Sequence, residues 1–170
     1  MFCLDDGLLT DKISSTTPAI DAGHTEAQVF FGWQSHIVHV EPISWTKPLI
    51  WAFQSFVCKW GAPNRLLGDH ASNHTSAKLM NHLNLLWIGL WSSEAHHQHQ
   101  NMFERRCQTF KRTVDWLMDR TGSLLELWFL CMCCVACVFN CILDPSLDHR
   151  QPIFLATGRV TDISPLLQFS

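Results

Sequence analysis

The sequence predicts an α/β domain built on a mixed sheet, and three observations carry that prediction. Three short β-prone runs follow one another, at residues 8–13, 27–33 and 36–43, before any helical pattern begins. Two further runs, at 65–69 and 86–91, are each separated from the preceding strand by a helical stretch. Two long helical patterns, 103–120 after a polar lead-in from Gln98, and 124–143, then close the order and supply apolar surface that a sheet must cover.

The first run, LLTDKI, ends near Asp11, and residues 14–23 are rich in Ser, Thr, Pro and Gly and read as a loop. Residues 27–33 (AQVFFGW) and 36–43 (HIVHVEPI) are parted only by Gln34 and Ser35, so the first three strands form a meander. Residues 45–60 place Leu49, Phe53, Phe56 and Trp60 at helical spacing, and Gly61-Ala62-Pro63 stops that helix. Asp69 stands at the exit of the fourth strand. Residues 75–86 are helical, 86–91 return to strand, and 94–102 form a polar loop carrying His96, His97 and His99. In the next helix Phe103, Phe110, Val114, Leu117 and Met118 make one apolar stripe, with Glu104 at its opening, where a carboxylate suits the helix dipole. Thr121-Gly122-Ser123 breaks it, and Asp144-Pro145 ends the following helix. Residues 1–122 hold the strands and the acids discussed below, and 123–170 add a helix and tail that complete the same domain.

Composition narrows the function classes. A chain of 170 residues with 47% hydrophobic and 16% charged residues suits one domain with a real core. A net charge of −3 excludes gripping nucleic acid by bulk charge, so any such grip is local. Five of the twelve basic residues (Arg105, Arg106, Lys111, Arg112, Arg120) crowd one helix. Asp5 and Asp6 interrupt the start, where a secretory leader needs a basic and then an apolar run. Five of the eight cysteines lie between 131 and 141, with no second C-x-x-C pair opposite Cys134 and Cys137, so they read as small buried hydrophobes. The apolar run 127–143 holds 17 residues, short of the roughly 18–20 needed to span a bilayer. A helix buried against the sheet, with no stable membrane association, is therefore expected, and a charge at Cys134 should then unfold the chain. Glu94, His96, His97, His99 and Cys107 offer a zinc alternative, but their spacing fits no common ligand frame. Tyr is absent while Cys and Trp are plentiful, a pattern that Tyr-to-Cys drift in a weakly selected gene copy would leave.

Asp11 and Asp69 each close a predicted strand and Glu104 opens a helix, which is where open α/β sheets collect ligands. Three carboxylates brought together there would suit hard cations such as Mg²⁺ or Mn²⁺. Asp21, in the Ser/Thr/Pro loop, competes for the first position. Asp11 is preferred because a strand holds a ligand more rigidly than a turn does.

These residues resemble the D, D, E pattern of retroviral and copia-type retrotransposon integrase cores. Asp69 and Glu104 are 35 positions apart, close to that family's spacing. Gln98 to Glu104 with Arg105 is similar to its Q-x-N-G-x-x-E-R loop, and Thr109 follows as in copia-type elements. Asn140, Arg150, Pro152, Gly158 and the run DISPLL at 162–167 resemble the ending of copia-type integrase regions. The sequence departs from the family pattern in Asp69-His70-Ala71 for D-N-G, in Met102 for the loop glycine, and in Thr161 for a proline. The His/His/Cys/Cys zinc motif carried upstream in the family does not appear in the ten residues before Asp11.

The resemblance implies a ribonuclease H-like fold, a mixed five-stranded sheet flanked by helices. It implies Asp11, Asp69 and Glu104 as catalytic and metal-holding residues for Mg²⁺ or Mn²⁺. DNA contact falls to Gln98, Asn101, Arg105, Gln108 and Lys111, though a solvated basic face with Lys111 paired to Asp115 describes the last two equally well. Its partners would be element and target DNA and further copies of itself, its compartment the nucleus after a cytoplasmic particle stage. Three function classes stay open: a strand-transferring core, a catalytically dead relic of the same fold, and a small membrane or interaction protein built on the Cys-rich helix.

Overall fold

The structure, a computed structural model, describes residues 3–44, 49–68, 77–92, 98–162 and 164; the side chains of 3–5, 68, 91–92 and 98–103 lie outside that description. Strands β1 (Cys3–Ser14), β2 (Glu26–Gly32) and β3 (Val38–Ile43) form an antiparallel meander. Strands β4 (Ala62–Gly68) and β5 (Gly89–Ser92) run parallel to β1 on its other side, giving the order β3-β2-β1-β4-β5. Parallel neighbours need crossovers. Helix α1 (Leu49–Trp60) leads into β4 and α2 (Ala77–Leu85) into β5, and α3 (Gln98–Thr121), α4 (Trp128–Cys141) and the short α5 (Pro152–Thr157) follow. This is the mixed five-stranded sheet flanked by helices that the sequence predicts.

Alternation along the strands divides the core in two. Leu8, Phe30 and Leu66 point to one face, where they meet Phe53 and Phe56 of α1 and Leu79 and Leu83 of α2. Val29, Phe31, Val38 and Val40 point to the other, against Phe110 and Val114 of α3 and Phe129, Met132 and Val135 of α4.

Several boundaries differ from the predicted ones for identifiable reasons. β1 begins at Cys3, five residues before the predicted run, and takes in the acidic pair. Asp6 is buried and accepts hydrogen bonds from the Gln34 N–H (2.7 Å), the Ser35 N–H (2.9 Å) and the Ser35 hydroxyl (2.5 Å), so it clamps the β2–β3 turn. Gly32 lies against that clamp. A Cβ there would collide with Ser35 Oγ and Asp6 Oδ2. β3 starts at Val38 because His36 is at φ 61°, a conformation that interrupts a strand. β4 starts at Ala62, so Gly61 at φ 101° makes the whole turn out of α1. β5 starts at Gly89 because Trp87 sits at φ 57°. A 3₁₀ turn over Leu125–Leu127 precedes α4 and shortens the predicted helix.

Helix α4 buries Trp128, Phe129, Met132, Val135, Ala136 and Asn140 along one side, packed on β3 and α3. Asn140 is the polar residue of the run. Its Oδ1 accepts from the Val38 N–H and its Nδ2 donates to the Val38 carbonyl, both at 2.7 Å. β3 is an edge strand, so Asn140 satisfies backbone groups that would otherwise be stranded under an apolar helix. Cys134 and Cys137 are exposed, which corrects the expectation that Cys134 is core. No helix among the described residues is long and apolar enough to cross a membrane.

Asp144, just past α4, ties three elements together. Its Oδ2 accepts from Arg106 Nη2 of α3 and meets His36 Nδ1 of the β2–β3 turn, each at 2.8 Å. Its Oδ1 accepts from the Ser146 N–H (2.9 Å) and the Ser146 hydroxyl (2.6 Å). Burial works to raise the Asp144 pKa, but the Ser146 and His36 hydrogen bonds and the Arg106 charge outweigh it and hold the carboxyl well below its usual range.

Two outcomes follow. Cys134→Arg leaves thermal stability within about 0.5 kcal/mol of the parent, whereas Ala136→Arg, on the buried side, abolishes cooperative unfolding. Because the folded pKa of Asp144 is depressed, its contribution is present above the unfolded carboxylate value near 4 and is lost as pH falls below it. Asp144→Asn therefore costs about 1–2 kcal/mol at pH 7 in urea unfolding and less at pH 3. An equal cost at both pH values would contradict the ion-pair account.

Candidate active site

Helix α3 positions most of the candidate side chains. Phe110 is fully buried and meets Phe31 of β2 and Phe139 of α4 edge-on, both at 5.9 Å between ring centroids. With Phe110 inward, Glu104, Cys107 and Lys111, at i, i+3 and i+7, form one stripe of the helix. Lys111 Nζ donates to Asp11 Oδ2 at 2.9 Å, with both side chains about two-fifths exposed. Lys111 thus pairs with Asp11 of β1 rather than with Asp115 of its own helix.

Asp11 lies inside β1, paired with Val29 of β2, and not at a strand exit. By alternation it shares the α3 side of the sheet with Leu9 and Ile13, which pack on the second core. Glu104 is exposed and belongs to the second turn of α3, because the helix begins at Gln98, inside the predicted loop. The first turn carries no acidic residue, so a role for Glu104 in offsetting the helix dipole falls away.

Cys107 lies on the same stripe of α3 as Glu104 and Lys111. Its thiol is buried and pushed up to about 12, first by burial and then by the carboxylates of Asp11 and Glu104, with Lys111 opposing. The two acids, 93 positions apart in sequence, therefore act on one thiol. Asp69 lies outside the described residues. The strand that leads to it ends at Gly68, with Leu67 paired to Leu9, two positions before Asp11. Asp21 stands elsewhere. It is exposed, its carboxylate accepts from the Ala22 N–H in a turn, and its charge acts on Cys133 of α4. The neighbouring Ile20 N–H donates to the Glu126 carbonyl, which fixes that turn beside the 3₁₀ segment.

Among the proposed DNA contacts, Arg105 and Gln108 are exposed on α3, and Lys111 is held by Asp11. Gln98 and Asn101 lie in the first turns of α3 with side chains outside the description, as is that of His99. Glu94, His96 and His97 also lie outside it. The last of the zinc candidates, Cys107, is buried on α3. Sequence reasoning missed the His36–Asp144–Arg106 cluster, because Asp144 was read only as a helix stop and the partners are far apart in the chain.

The donor set near Cys107 consists of carboxylate oxygens open to solvent, which fits a hard divalent cation. Lys111 supplies the positive charge next to Asp11. Among the described residues no group of three or more His, Cys, Asp or Glu side chains is placed to hold a metal.

The sequence matches no protein-family model and no curated protein. The fold does match solved structures. The BIV integrase catalytic core domain is similar at a TM-score of 0.68 and 11% identity, over 96% of this chain and 98% of that one. The HTLV-2 integrase catalytic core domain in complex with magnesium, in its trimeric form, gives 0.65 and 14%, over 89% and 96%. A chain of a simian T-cell lymphotropic virus intasome in complex with a PP2A regulatory subunit gives 0.70 and 11%, over 95% of this chain and 59% of that one. The chain has the ribonuclease H-like fold of integrase catalytic cores.

Proposed function

We propose that this chain is the catalytic core of a copia-type retrotransposon integrase, a polynucleotidyl transferase that joins element DNA to target DNA. The observation that carries the reading is that Glu104 shares a stripe of α3 with Lys111, which pairs with Asp11 of β1, on this fold. Asp11, Asp69 and Glu104 are the residues that would hold Mg²⁺ or Mn²⁺. Such ions activate a hydroxyl nucleophile and stabilise the leaving oxygen in phosphoryl transfer. The HTLV-2 core's magnesium complex is consistent with this assignment.

The chain's own residues do the rest. Placement of Asp11 in β1, paired with Val29 of β2, fixes one carboxylate, and the buried side of α3 fixes Glu104 relative to it. Lys111 lowers the repulsion between the two acids and presents a cation to a nearby phosphate. Arg105 and Gln108 on the exposed side of α3, with Gln98 and Asn101 at its start, contact the DNA backbone. A second copy and a nuclear location follow from the same reading, in line with the dimeric and trimeric forms of the HTLV-2 core.

A relic of the same fold is the second reading, and two features favour it. Met102 replaces the glycine of the family's mobile loop. Trp87, 93% exposed, occupies a left-handed conformation that suits glycine.

The test is strand transfer on a branched DNA substrate with Mn²⁺, comparing the chain with Glu104→Gln and Met102→Gly. The expected result is weak activity that Glu104→Gln lowers at least about 100-fold and Met102→Gly raises. Activity unchanged in Glu104→Gln would refute the role of Glu104. Silence in the parent with activity in Met102→Gly would identify a drifted copy, and silence in all three a relic.

A further inference from the structure

A cavity of about 390 Å³ opens where the first half of α3, the end of α4 and the β2–β3 turn meet. It lies beyond the Asp11–Glu104 stripe, on the side of α3 that carries Arg105, Arg106 and Thr109. Its volume is in the range of small-molecule sites. Its floor is apolar, made by Phe31, Val38, Phe139, Ile142 and Leu143.

The charges on its wall nearly cancel. Arg106 is committed to Asp144 at 2.8 Å. Burial, ahead of the opposing pull of Asp144, lowers the His36 pKa, so this ring is neutral at pH 7. Arg105 remains. It is exposed at the rim, and its guanidinium has no ion-pair or hydrogen-bond partner among the described residues. The cavity therefore presents one uncompensated positive charge above an apolar floor.

We propose that this cavity binds a small amphipathic monoanion, an aromatic or branched apolar body ending in one carboxylate that pairs with Arg105. The fixed planar fork of a guanidinium matches a carboxylate in two parallel hydrogen bonds. The five apolar side chains take up the body, and a second charge over them would lie unpaired. A DNA phosphate fits less well, because its neighbouring charges would lie over that floor unpaired. The site needs neither Asp11 nor Glu104, and because Arg105 is also a proposed DNA contact, its binding is measured in the absence of DNA.

The experiment is calorimetric titration of the whole chain with 2-naphthoate and with neutral 2-naphthamide, repeated on Arg105→Ala and Leu143→Asp. Both substituted side chains are exposed, so the variants retain the fold, which circular dichroism checks. Saturable naphthoate binding is expected. Loss of Arg105, or of net positive charge through Leu143→Asp, weakens it about tenfold, and naphthamide binds more weakly by a similar factor. Equal affinity in the parent and Arg105→Ala, equal affinity for the amide, or no saturable binding would each overturn the proposal. Binding of a short duplex DNA that Leu143→Asp weakens, with naphthoate silent, would overturn it in favour of a phosphate site.

Discussion

The seating of α3 on the sheet is the constraint on which the rest of the candidate site depends. Phe110 enters the core between Phe31 and Phe139, and burying a ring of this size contributes roughly 2–3 kcal/mol. That one anchor fixes the rotation of the helix. Once Phe110 points in, Glu104, Cys107 and Lys111 must share a stripe, and Lys111 reaches Asp11 on the central strand. On the flank of the same helix, Arg106 reaches Asp144 and leaves Arg105 at the rim of a cavity. A rotation of α3 by one residue, about 100°, would dismantle both arrangements.

The strands were legible because alternation and turn residues both marked them. AQVFFGW and HIVHVEPI carried the signal, with only the His36 backbone conformation trimming the second. The start of β1 was not legible, since Asp5-Asp6 looks like a solvent-facing lead. What hides Asp6 is a clamp of three hydrogen bonds from a turn 28 and 29 positions later, which no local pattern reveals. The beginning of α3 was misread for a related reason. His and Gln have no strong preference for or against helix, so by pattern alone the polar stretch reads as a loop. The Cys-rich helix was placed correctly on the sheet, yet its hydrophobic character on every side concealed which cysteines face out.

The candidate site was legible only in part. Asp11 and Glu104 were singled out, but as residues at element ends, and the structure places each inside its element. Cys107, which the sequence offers only as a zinc ligand, is buried on the same stripe of α3, and burial first of all pushes its thiol up. Asn140 belonged to a motif read from resemblance, and its physical task is to satisfy Val38 at the sheet edge. The Arg106–Asp144–His36 cluster had no sequence signal, because it closes contacts over 38 and 108 positions.

If Asp11 and Glu104 form one cation-accepting site, direct measurement of Mn²⁺ binding tests it without reference to any reaction. Electron paramagnetic resonance titration of free Mn²⁺ against the whole chain, Asp11→Asn and Glu104→Gln makes the comparison. The account predicts saturable binding by the parent that either substitution weakens about tenfold or more, as the loss of a carboxylate ligand should. Mn²⁺ binding of equal strength in the parent and in both variants would contradict it.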